Sequence, residues 1–126
     1  MIWEEASDIK ARIGEIVSRG EFTHVNVKQL YCFRSRGSKA HAYARIWSLP
    51  TIWQQALNLP PAYCLEVISH HFDKVAIDEQ TKILIHELMH IPKTFSGALL
   101  PHRHPYRKIN NHTVTKLFDL LYKGKR

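Results

Sequence analysis

Only two of the 126 residues are cysteine, Cys32 and Cys64, and they stand far apart in no CxxC pair. That excludes a disulfide framework and a thiolate zinc site, and makes two free thiols the expectation. No apolar run approaches the ~20 residues that a membrane-spanning helix needs. The start of the chain, Met1-Ile2-Trp3-Glu4-Glu5, is acidic and lacks the basic-then-apolar shape of a secretion signal. A cytoplasmic protein is therefore expected. Repeats and low-complexity segments are missing too, so residues 1–126 are expected to form a single domain, long enough to bury a core. Acidic residues are scarce, with 11 Asp and Glu against 18 Lys and Arg, for a formal net charge of +7. A basic balance favours acidic partners, DNA among them, although many basic proteins bind none. After Glu87 the scarcity is nearly complete, because Asp119 is the only later side-chain carboxylate.

The apolar pattern predicts an α+β fold. Ile2, Ala6, Ile9, Ile13 and Ile16 repeat at helical spacing, which predicts a helix over about 3–18 that Gly20 ends. Residues 22–33 are rich in Val, Tyr and Phe and read as a strand or two, and Arg34 to Lys39 as a basic turn. Residues 42–47 and 63–68 read as further strands, and 53–57 as a helical turn or a bent hairpin arm. Asp78 is placed to cap a helix that Pro92 stops near Ile91. Residues 92–111 read as a long loop, 112–122 as a last helix packing Val114, Leu117, Phe118 and Leu121, and 123–126 as a frayed basic tail. The expected sheet is small and mostly antiparallel.

Residues 86–90 read His-Glu-Leu-Met-His. Two histidines four apart lie on one face of a helix, one turn from each other, and can grip one zinc ion from the same side. Glu87 between them can then serve as a general base toward water at that metal. Ile83, Leu84 and Ile85 ahead of the motif give it the apolar setting of a buried active-site helix.

A catalytic zinc usually has three protein ligands and an open position. The metzincin pattern requires glycine and histidine where this chain has Lys93 and Ser96, so that class is excluded. A glutamate from a later helix is excluded because none exists, and Asp119 sits among core positions of the last helix. The candidates are His102, then His104, then His112. If His102 and His104 both bound, four ligands would close the site and make it structural. Glu66 stands out on an apolar strand, either as a partner of a zinc-binding histidine or, more simply, as an exposed or ion-paired residue. Tyr43 and Tyr106 could supply a hydroxyl to a developing oxyanion.

The run Ile85-His86-Glu87-Leu88-Met89-His90-Ile91-Pro92, followed by Thr94-Phe95-Ser96-Gly97 and Pro101-His102, resembles the metallopeptidases of archaea and their viruses, a small zincin family. Residues 63–68 and Phe72-Asp73-Lys74 are similar to that family as well. The family looks related to SprT-like and mini-gluzincin proteases. The resemblance implies a minimal zincin-like domain, with an active-site helix, a ligand-bearing loop and a C-terminal helix. It implies Zn2+ as cofactor, His86, His90 and His102 as its ligands, Glu87 as catalytic base, and a protein or peptide substrate. SprT-like relatives further imply cleavage of proteins attached to DNA. They often carry glycine after the third histidine, where this chain has Arg103, so His102 and His104 both stay in play.

The competing expectation is a non-catalytic nucleic-acid-binding protein with a structural zinc. Arg34, Arg36, Lys39 and Arg45 form one basic group, interleaved with Tyr31, Phe33 and Tyr43 as a base-stacking surface would be. Arg103, Arg107 and Lys108 form a second.

Overall fold

The computed structural model describes residues 1–123; the last three positions of the expected basic tail lie outside the described residues. In chain order the elements are β1 (Ile2–Glu5), α1 (Ser7–Ser18), β2 (Leu30–Arg36), β3 (Ala44–Ser48), α2 (Thr51–Leu57), β4 (Tyr63–Ile68), α3 (Ser69–Phe72), α4 (Ile77–Met89), β5 (Arg103–His104), β6 (Arg107–Lys108) and α5 (Asn111–Lys123). The fold is α+β, as the pattern predicted.

Four strands form one mixed sheet in the order β1-β2-β4-β3. The outer pairings are antiparallel and the central β2–β4 pairing is parallel. The period of two divides β4 between the faces. Tyr63, Leu65 and Val67 turn inward and join Ile9, Ile13 and Ile16 of α1, Leu84, Ile85 and Leu88 of α4, and Val114, Phe118 and Leu121 of α5 in one core. The helical stripes thus do what their spacing predicted. The thiols remain free, Cys32 buried and Cys64 half-buried.

Four expectations need correction. The first helix begins at Ser7, not near residue 3. Ile2 is 63% exposed, and residues 2–5 pair with β2, so the buried stripe starts at Ala6. The region 22–33 is irregular up to a 3-10 turn at Val27–Gln29, and only Leu30 opens the strand. The basic run does not turn at residue 34 but continues β2 through Arg36. Extended backbone is tolerated there because carboxylates meet the charge. Arg34 bonds Asp8 and Asp73, and Arg36 bonds Glu4. Finally, α4 has no side-chain cap. Asp78 and Glu79 stand in its first turn, where negative charge suits the helix dipole. The ambiguous stretch 53–57 proves helical, and the long loop holds a small hairpin, β5–β6.

Glu66 is neither exposed nor near the histidines. It turns to the outer face of the sheet and is 1% exposed. Its carboxylate accepts from Arg45 Nε (2.8 Å), Trp47 Nε1 (2.9 Å) and Trp3 Nε1 (3.2 Å). Burial pushes this carboxyl up, but hydrogen bonding, with Arg45 the largest contributor, outweighs it and brings it down to about 2. Its stabilisation is therefore complete above the ordinary 4.5 and is lost as pH falls toward about 2. Glu66→Gln is expected to cost about 2 kcal/mol near neutrality by removing charged hydrogen bonds. Thermal unfolding across pH checks this. The gap to the wild type should close between about 4.5 and about 2.

Candidate metal centre

The site is built on the last turn of α4. Arg12 of α1 reaches the first turns of that helix, bonding Gln80 Oε1 (2.7 Å) and Thr81 Oγ1 (3.0 Å). Leu84, Ile85 and Leu88 seat the helix in the core. Its helical period then turns His86 and His90 to one side, with His90 as the C-cap of the helix, two residues before Pro92.

Residues 91–101 carry the chain back across α4. His102 arrives at the head of the hairpin, where its carbonyl accepts the N–H of Ile109 at 2.9 Å. Ile109 is buried and anchors that end. The outcome is a cluster of three: one ligand atom each from His86, His90 and His102, all within 4.8 Å of one another. His86 Nε2 and His102 Nε2 are 3.2 Å apart. Three nitrogens around one tetrahedral zinc, with bonds near 2.0–2.1 Å, would stand about 3.3 Å apart. The donor set fits a zinc ion.

Protonation state supports the fit. Burial pushes His86 down to about 4, with help from the neighbouring histidines. Burial lowers His90 also, against the opposing hydrogen bond to the Leu100 carbonyl. Both rings are neutral near pH 7, and a neutral imidazole offers a lone pair to a metal. His90 Nδ1 faces the Leu100 carbonyl, which fixes that nitrogen as the donor and leaves Nε2 for the cluster. No sequence pattern marks Leu100 for this role, because it acts through its backbone.

Glu87 is 8% exposed. Burial without a charged partner raises its carboxyl to about 8. It lines an open cleft of about 810 Å³ with His86 of the same helix, Tyr43 and Ala44 at β3, and Asn111 and Val114 of α5. A carboxyl held in such a place suits proton transfer.

The remaining candidates fall outside. His104 accepts the Tyr106 N–H on Nδ1 at 3.2 Å and packs its ring on Tyr106. Among the described residues it joins no metal-capable group. His112 is exposed on the first turn of α5, and Asp119 pairs with Lys123. His24 bonds the Ile91 carbonyl, and His70 and His71 pack on each other. Of the two tyrosines, Tyr43 lines the cleft while Tyr106 is 92% exposed.

A family model described as "putative phage metallopeptidase" matches residues 1–120 of the chain. No curated protein and no solved structure matches it.

Proposed function

This chain belongs to the phage metallopeptidase family, and from that premise we propose that it is a zinc-dependent peptidase in which Glu87 is the general base. One observation carries the reading: three histidine nitrogens within 4.8 Å of one another beside a buried glutamate that lines an open cleft. His86, His90 and His102 would hold the ion. A zinc so held would acidify water and polarise a peptide carbonyl. Glu87 takes the proton from the attacking water and delivers it to the leaving amine. Tyr43 is the hydroxyl available to a developing oxyanion, since Tyr106 stands clear of the cleft.

The substrate fits an extended polypeptide. The strand at 63–68 lies between β2 and β3 and has both sides paired. The sheet's edges are β1 and β3, and it is β3 whose Ala44 lines the cleft beside Glu87. A peptide can add there by main-chain hydrogen bonds. Substrates attached to DNA belong to this reading, supported by the net charge of +7 and by Arg103 and Lys108 on the hairpin. Arg34, Arg36 and Arg45 lend less, since each is ion-paired to a carboxylate.

The test is cleavage of an unfolded protein, with and without single-stranded DNA. Chelation should abolish cleavage and zinc should restore it. Cleavage that survives chelation contradicts the proposal.

A further inference from the structure

The segment that brings His102 to the cluster has no regular structure between α4 and β5, yet it is fastened at successive residues. Near its end, the Leu100 N–H donates to the His90 carbonyl at 2.8 Å. Farther back, the fastening comes from two side chains that take no part in the chemistry. Tyr63, the first residue of β4, is 1% exposed. Its hydroxyl accepts the Gly97 N–H at 2.8 Å and donates to the Ala98 carbonyl at 2.7 Å. Its ring meets Phe95 edge-on, with centroids 5.0 Å apart. Gln54 of α2 sends Nε2 to the Ser96 carbonyl (3.0 Å) and to the Leu49 carbonyl (2.8 Å).

Gly97 marks how closely the loop passes these groups. Its φ is +96°, and a Cβ there would fall 2.3 Å from Gln54 Nε2 and 2.7 Å from the Leu49 carbonyl. Phenylalanine would fill the space of Tyr63 without a buried hydroxyl to satisfy. Here the hydroxyl spends both its donor and its acceptor on consecutive residues of one loop. A loop left free would have to be ordered when metal binds, and that entropy would weaken binding.

We propose that Tyr63, seconded by Gln54, is a positioning residue that holds the loop so that His102 stands ready for the metal. The inference rests on the reading of His102 as the third ligand.

Zinc affinity is measured by competition with a chromophoric chelator, well below the melting temperature. The proteins are wild type, Tyr63→Phe, Gln54→Ala and Ile13→Val, the last a core-weakened control in α1. Tyr63→Phe should bind zinc about 10–100-fold more weakly, the size of effect seen for groups that orient metal ligands. Gln54→Ala should shift affinity in the same direction by less, and Ile13→Val should lower the melting temperature without changing affinity. Hydrogen exchange of the Gly97 and Leu100 amides in the metal-free protein should be slow in the wild type and fast in Tyr63→Phe. Unchanged affinity in Tyr63→Phe overturns the clamp and leaves the metal site standing. Failure of the wild type to bind zinc overturns both. If Tyr63→Phe does not fold, unchanged affinity in Gln54→Ala overturns the proposal.

Discussion

Glu87→Gln is expected to cut hydrolysis of an unfolded protein by about 10²–10⁴-fold while zinc stays bound. The amide keeps the shape of the carboxylate and cannot take a proton from water. The same change should stabilise the metal-free protein. Burial holds the Glu87 carboxyl at about 8 in the folded chain, against an ordinary 4.5. Between those values the unfolded chain has released a proton that the folded chain still binds. Stability therefore falls as pH rises through that window. Glutamine carries no such penalty. Metal-free Glu87→Gln should melt above metal-free wild type near pH 7 by on the order of 2 kcal/mol, and the difference should vanish below about pH 4.5. A cation held by the three neutral histidines would return Glu87 to the ionised form that a base needs. Activity assays and calorimetry on one variant check both halves. Equal cleavage by the two proteins refutes the role of Glu87. A variant that melts lower without metal refutes the account of its burial.

The second large effect concerns the metal. His86→Ala, His90→Ala and His102→Ala should each weaken zinc binding by orders of magnitude, because two remaining imidazoles hold the ion poorly. His104→Ala should leave zinc bound, since its Nδ1 is engaged by Tyr106 and its ring lies outside the cluster. Chelator competition ranks the four variants. Release of zinc by His104→Ala, with retention by His102→Ala, reverses the assignment of the third ligand.

Much of this candidate site is legible in the sequence, and the reason is local geometry. A spacing of four puts His86 and His90 on one face of a helix whatever surrounds it. The stripes of α1, α4 and α5 follow from the same period. What escaped depends on distant partners. Residues 2–5 continue a helical pattern in sequence. They are extended because they pair with residues 33–36 and because Trp3 reaches Glu66 across the sheet. Arg34 looks like a turn residue until Asp8 and Asp73, from separate elements, close on it. The Arg45 partner of Glu66 could be anticipated as an ion pair, but not the two indoles or the burial that shape its titration. The hairpin after His102 has strands of two residues, too short for any period to declare. The clamp on its approach joins Tyr63 and Gln54 to backbone atoms, which composition does not record.

A metal site with a position left open for chemistry would be visible in a crystal structure of the zinc-loaded protein, with the metal located by anomalous scattering. The expected result is one zinc held by His86, His90 and His102, with a fourth position not filled by any protein atom and facing the cleft beside Glu87. A zinc closed by four protein ligands, with His104 or another side chain in the fourth place, would contradict it.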